Sequence, residues 1–290
     1  MRRTMLFLPG NNPNMIANGD ILGADAVIFD LEDAVAPDEK DAARILVRNA
    51  LTFLDFSRVE VVVRINSIDE TEFWKRDLEE IIPLRPSLVM PTKVPDPEYV
   101  HTLSRYMTEV ERTHDIPSHT VGLIPIIETA VGLENAFLIA KSDPRMRAML
   151  LGAEDLTADL RCVRTKDGHE IAYARSRIVS AARAAGIDVY DTPFTDVNDD
   201  EGLLEDAKLS KSLGFTGKAA ISPRHVKAIN RVFTPTQSEI DYAHEVLRVI
   251  AEAKAQGKGA ISLYGKMIDA PIVMRAEQVL EMEKALKQGK

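Results

Sequence analysis

Apolar runs of five to seven residues recur along the chain, each followed by polar residues and then by a stretch with helical spacing of apolar positions. In order they are TMLFL, DAVIFDL, VEVVVRI, SLVMPT, VGLIPII, AMLLGA, IDVYDTP and KAAIS. This alternation is the signature of repeated strand–helix units. Runs apolar on both faces suit a parallel sheet covered by helices. Eight such units over residues 1–232 match the size of a TIM barrel, about 250 residues. The expectation is an α/β fold, a (β/α)8 TIM barrel. The rival, an open doubly wound sheet, lacks support, because LFLPGNNPN after the first strand is not the G-x-G-x-x-G phosphate loop.

The helical stretches carry their own boundaries. In PDEKDAARILVRNALTFL, Pro37 opens the first turn, acids follow it, and Ala43, Leu46, Val47, Ala50 and Leu51 make an apolar stripe. EIAYARSRIVSAARAAG ends on Gly186, a natural helix stop. From about residue 233 the repeat ceases. Ser238 and Asp241 predict a capping box before a helix ending near Gly257, followed by a glycine-rich linker, a short apolar piece and a helix opened by Pro271. Residues 233–290 therefore read as a C-terminal helical extension, able to cover the barrel mouth or a neighbouring subunit.

Composition narrows the chemistry. With 36 basic and 45 acidic residues the net charge is −9, which repels nucleic acid and anionic membranes and favours a small-molecule partner. Cys162 is the single cysteine, so no internal disulfide or thiolate cage can form, and a reducing cytoplasmic setting fits. Pro9-Gly10 ends the N-terminal apolar patch too early for a signal core, and no run is long enough to cross a bilayer.

In a barrel, chemistry gathers where strands end. The polar residues there are Gly10 and Asn11, Glu32 and Asp33, Arg64 and Asn66, Lys93, Glu128 and Thr129, Glu154 and Asp155, Asp191 and Thr192, and Ser222. Glu128 and the pair Glu154/Asp155 follow adjacent strands and could meet at one ion. Oxygen ligands without His or Cys point to Mg2+. Arg64 could then clamp a carboxylate or a developing enolate oxygen. The six histidines show no ligand spacing, Cys162 shows no sign of activation, and Asp269, just before a proline-started helix, has the position of a structural cap.

The ordered motifs RRTMLFLPGNNPNMI, ADAVIFDLEDAVAPDEKDAAR, VVRIN, MPTKV, IIETAVGL, LGAEDLTADL, GFTGKAAISPRH, FTPTQSEIDYA and GKMIDAPIVMRA span nearly the whole chain. Through them it resembles the CitE-like acyl-thioester lyases of the HpcH/HpaI aldolase superfamily, the citrate lyase β subunits among them. DLRCVRTKDGHEIAYARSRIVSAARAAGID is similar to the β subunits in particular. The resemblance implies a homotrimer or hexamer, with Mg2+ on Glu128 and Asp155. It also implies a substrate contact at Arg64, and a catalytic Asp269 that the extension delivers to a neighbouring subunit's site. Relatives carry His-Pro or Asn-Pro where this chain has Ser222-Pro223, so no role transfers to Ser222.

The implied reaction is Mg2+-dependent cleavage of a (3S)-citryl thioester on an acyl carrier protein (ACP) into oxaloacetate and an acetyl thioester, with citrate lyase α and γ subunits as partners. Citryl-CoA, citramalyl-CoA and malyl-CoA lyases share most of the motifs. A malyl-CoA-type thioesterase and a non-catalytic scaffold are the readings from other classes. Glu32 and Asp33 are expected around the metal, bonded to its waters rather than to the ion.

Overall fold

The computed structural model describes residues 2–70, 72–255 and 261–288. The barrel strands are β1 (Thr4–Pro9), β2 (Ala26–Asp30), β3 (Glu60–Arg64), β4 (Leu88–Met90), β5 (Gly122–Leu123), β6 (Ile126–Ile127), β7 (Ala148–Leu151), β8 (Asp188–Asp191) and β9 (Gly217–Ala220). They pair in parallel in the order β5-β4-β3-β2-β1-β9-β8-β7-β6.

The segment carrying β5 and β6 closes the ring. On one side Ile124 N–H donates to Val89 O at 3.0 Å and Ile126 N–H to Pro91 O at 2.9 Å. On the other, Pro125 O accepts from Leu150 N–H and Ile127 O from Gly152 N–H, each at 3.0 Å. The fifth expected strand is thus interrupted at Pro125, which has no N–H to give to a ladder. The eight expected strands appear as nine for that reason.

The helices are α1 (Pro13–Ala17), α2 (Lys40–Phe53), α3 (Phe73–Ile81), α4 (Pro97–Thr113), α5 (Ala130–Glu134), α6 (Ala136–Ala140), α7 (Ala153–Asp159), α8 (Ala172–Ala185), α9 (Asp200–Leu213) and α10 (Pro223–Phe233). On α2, Ala43, Val47 and Ala50 are buried as expected, while Leu46 and Leu51 are half-buried. Lys40 and Arg44 share that face because each finds partners. Arg44 Nε–H donates to Asp77 Oδ1 at 2.7 Å, and Lys40 Nζ donates to the carbonyls of Leu31 and Glu32. Gly186, at φ +74°, ends α8.

Side-chain alternation sorts the strands into an inside and an outside. Met5, Ala26, Ile28, Val62, Leu88, Met90, Ile124, Ile126, Ala148, Leu150, Tyr190 and Ala219 fill the barrel, with Phe7 against them. Asp191 and Lys218 fall on the opposite parity, under the helices. Asp191 was expected at the rim with Thr192, and the structure corrects this. Lys218 Nζ donates to Asp191 Oδ2 at 2.9 Å, and Arg175 Nη2 donates to Asp191 Oδ2 at 2.8 Å and Asp206 Oδ1 at 2.6 Å, all buried. Burial works against a charge on Asp191, yet Lys218 and Arg175 hold it down at about 2.

The chain divides into two compact units, one of residues 2–230 and a second that begins at Arg231 and holds the rest of the described residues. It contains α11 (Gln237–Ala255), the antiparallel hairpin β10 (Ile261–Leu263) and β11 (Lys266–Ile268), and α12 (Ala270–Gln288). Ala243, Val246, Leu263, Ile268 and Ala276 make its core. The extension is therefore not wholly helical, since the short apolar piece forms the hairpin. The capping box also differs from expectation. Thr236 Oγ1 accepts from Glu239 N–H at 3.2 Å while Glu239 Oε2 accepts from Thr236 N–H at 2.7 Å, so Ser238 and Asp241 lie inside the helix. Gly257 and the linker fall outside the described residues. Among the described residues no helix is long and apolar enough to cross a membrane.

Candidate active site

The inward parity that fills the barrel continues one step past the apolar layer. Two residues beyond Ile28 comes Asp30; beyond Val62, Arg64; beyond Ile126, Glu128; beyond Leu150, Gly152; beyond Tyr190, Thr192; and beyond Ala219, Ile221. All of these line one cavity of about 420 Å³, together with Phe7, Pro9, Asp33, Ala34, Glu154 and Asp155. That volume is within the roughly 300–1,000 Å³ of small-molecule sites. The site is thus the polar top layer of a packed barrel.

Of the residues expected from the sequence, Arg64, Glu128, Asp155 and Asp33 line this cavity. Glu32 is buried beside it, its Oε2 2.9 Å from Arg64 Nη1. Asp269 belongs to the other unit, where it is exposed and caps α12, its Oδ1 accepting from Ile272 N–H at 3.3 Å. That is the structural part its position suggested.

Asp30 carries more of the site than the sequence reading gave it. It is buried, and its Oδ1 accepts from Arg64 Nε–H at 2.7 Å while Oδ2 pairs with Nη2. The same carboxylate accepts from Glu32 N–H at 2.8 Å and Ala34 N–H at 3.3 Å, shaping the loop that carries Glu32 and Asp33. The guanidinium also lies over Phe7, 5.1 Å from the ring centroid. Burial opposes its charge, but Asp30, Glu32 and Asp33 raise its pKa, so Arg64 is a fixed cation. Each Nη nitrogen still carries a second hydrogen for an incoming oxygen.

Glu128 is almost fully buried, its Oε1 accepting from Lys93 N–H at 2.7 Å. Burial, and then the nearby Asp155 carboxylate, push it up to about 8. Burial chiefly, with Asp33 and Asp30 adding to it, also pushes Glu32 up against the pull of Arg64. Asp155 sits half-buried in the first turn of α7, with Glu154 exposed beside it. A buried carboxylate raised by a second carboxylate in the same cavity is a site short of positive charge. A hard divalent cation with oxygen ligands answers that need, and one or two carboxylates with the remaining positions left to water and substrate suit Mg2+. Among the described residues no group of three or more His, Cys, Asp or Glu gathers into a full protein cage.

The HpcH/HpaI aldolase/citrate lyase family model matches residues 3–223. The chain belongs to this family. The lyase class expected from the motifs is borne out with it. The citrate lyase β subunit of Leuconostoc mesenteroides subsp. cremoris is 44% identical over 285 residues, covering 98% of this chain and 94% of that protein. The mitochondrial citramalyl-CoA lyase of Mus musculus is 32% identical over 297 residues, covering 99% and 87%. The structure of CitE from Mycobacterium tuberculosis in complex with magnesium, acetoacetate and coenzyme A superposes with a TM-score of 0.79 at 32% identity, covering 97% and 98%.

Proposed function

We propose that this family member is a Mg2+-dependent carbon–carbon lyase that cleaves a (3S)-citryl thioester, carried on ACP, into oxaloacetate and an acetyl thioester. One observation carries the reading: the Glu128 carboxylate, raised by its burial and then by Asp155, faces the same cavity as the fixed Arg64 cation. Near-complete alignment with a citrate lyase β subunit supports the citryl substrate, and with it α and γ subunits as the partners this reading calls for.

Glu128 and Asp155 hold Mg2+ in this reading. When bound, the ion supplies Lewis acidity toward the substrate hydroxyl and its neighbouring carboxylate. Asp30 and Glu32 keep Arg64 oriented, and its remaining N–H groups meet the oxygen of the thioester enolate that leaves when the substrate hydroxyl gives up its proton to a general base and the carbon–carbon bond breaks. Asp33 keeps the metal's waters and Arg64 in register with Glu32. Asp269, on the 233–290 extension of a neighbouring subunit in a homotrimer or hexamer, protonates the enolate carbon. An acidic chain with one exposed free cysteine suits the cytoplasm.

The CoA-linked reading is favoured by the mouse citramalyl-CoA lyase and by the CoA complex of the M. tuberculosis protein. Purified protein with Mg2+ is therefore assayed on citryl-ACP, citryl-CoA, citramalyl-CoA and malyl-CoA, following the keto acid released. Fastest turnover of citryl-ACP is expected. A faster CoA ester replaces the carrier assignment, and free CoA without a keto acid identifies a thioesterase. Metal binding without turnover of any of the four leaves a scaffold.

A further inference from the structure

The MPTKV motif that leaves β4 carries a lysine, Lys93, that the proposed reaction does not use. Lys93 has φ +52°, in the left-handed region where a residue with a β-carbon is strained and glycine is not. Its N–H donates to Glu128 Oε1 at 2.7 Å. Its Nζ donates to Glu70 Oε1 at 2.7 Å and lies 3.7 Å from Glu32 Oε1. The loops after β3 and β4 are joined a second time at Tyr99, whose hydroxyl accepts from Ile68 N–H at 3.1 Å and donates to Thr92 O at 2.9 Å.

We propose that Lys93 is a positioning residue: its left-handed backbone fixes Glu128 while its ammonium latches the Glu70 loop to Glu32. A glycine would adopt this backbone at less cost, so retaining a lysine here is accounted for by the ammonium's two carboxylate partners. With Oε1 held by the Lys93 N–H, Oε2 is the oxygen turned toward Gly152, where an added β-carbon would lie 2.6 Å from it. The strain thus sets which face Glu128 presents to the cavity. The inference rests on Glu128 and Asp155 as the metal-holding pair.

The two functions of Lys93 separate by substitution. Lys93→Gly keeps the left-handed backbone and the N–H but removes the ammonium. Lys93→Val removes the ammonium and also disfavours the backbone. Mn2+ binding, followed by electron paramagnetic resonance on the full chain, reads the Glu128 arm without turnover. Lys93→Gly is expected to bind Mn2+ within about twofold of wild type, whereas Lys93→Val weakens binding about tenfold or more, the scale of lost outer-shell support. Glu70→Gln should match Lys93→Gly, with KM raised and kcat held.

Equal Mn2+ affinity in the glycine and valine variants overturns the proposal. So does a KM for Glu70→Gln equal to that of wild type. If Lys93→Val does not fold, Lys93→Thr, which is also β-branched and disfavoured at this backbone, carries the same comparison with the same expected sign. Mn2+ binding by a wild-type protein that turns over no thioester removes the lyase reading and leaves the Lys93 comparison standing.

Discussion

Gly152 stands so close to Glu128 that a β-carbon on it would lie 2.6 Å from Oε2 and 2.7 Å from Cβ of that side chain, and 2.8 Å from Ile126 Cγ2. The glycine of the GAED motif is a space left for the carboxylate. Gly152→Ala is therefore expected to displace Glu128, weaken Mg2+ binding about tenfold or more, and cost about 1–3 kcal/mol of stability through overpacking. Isothermal titration with Mg2+ and denaturant unfolding check the two parts separately. Wild-type affinity in the alanine variant means Glu128 is not the ligand.

The Asp30 carboxylate grips Arg64 through Nε and Nη2 and leaves the outer hydrogens for an oxygen in the cavity. Asp30→Asn cannot accept both of those bonds, so the guanidinium turns toward Glu32 and Asp33. The expected result is a fall in kcat of about a hundredfold, comparable to losing one oxyanion donor, with the metal affinity little changed. A variant whose loss falls entirely on Mg2+ affinity would place Asp30 with the metal instead.

The barrel and its rim were legible because strand alternation and burial are both written in the pattern of apolar residues. Arg64, Glu128 and Asp155 are polar residues that directly follow apolar runs, which is the local signal for a strand's end. Strand parity, applied strictly, separates them further. Asp30 is in phase with Ala26 and Ile28 and so points into the cavity, whereas Asp191 is out of phase with Tyr190 and points under the helices. Position at a strand's end alone, without parity, assigns Asp191 to the rim and gives Asp30 no role. The partners of Asp191 come from β9, α8 and α9, separated by tens of residues, and no local pattern announces them. The break at Pro125 was visible as a proline, but its consequence depends on which neighbour needs the missing N–H.

Asp191 is the hub of a buried network with Lys218, Arg175 and Asp206, outside the cavity. Removing its charge leaves two buried cations sharing the single Asp206 carboxylate, so Asp191→Asn is expected to cost about 3–5 kcal/mol. Adding Lys218→Met should recover part of that, with a coupling of at least about 1 kcal/mol in the double-mutant cycle. The folded fraction keeps its kcat. The stabilisation is fully present above the ordinary carboxylate value of 3.8 and is lost as pH falls through about 2.

Glu128 titrates in the opposite sense. Its pKa is about 8 in the folded protein against 4.5 when solvated, so the folded chain holds a proton that the unfolded chain has released. Metal-free stability therefore decreases as pH rises between these values, and Glu32 adds to the same trend. Mg2+ competes with that proton. Binding at pH 7 should expel it, measurable as a dependence of the binding enthalpy on the buffer's ionisation enthalpy. Affinity should rise with pH until about 8. Glu128→Gln removes both effects. Buffer-independent enthalpies would show that Glu128 is already ionised before the metal arrives.

Asp269 and Arg64 lie in separate compact units of the chain, and the proposed reaction needs both. If the extension of one subunit completes the site of the next, each variant is inactive for a different reason. Asp269→Ala lacks the proton donor that its chain lends out, and Arg64→Ala lacks the enolate contact in its own barrel. Mixed trimers then contain some sites with a wild-type barrel and a wild-type extension. Co-refolding the two inactive variants in equal amounts should restore a substantial fraction of wild-type activity, on the order of a quarter when partners combine at random and both defects are complete. Asp269 also caps α12, so Asp269→Asn, which keeps a capping oxygen, is the control for a purely structural loss. Activity in Asp269→Asn assigns the residue to the cap. Inactivity in that variant, combined with no recovery on mixing, confines the aspartate's action to its own chain.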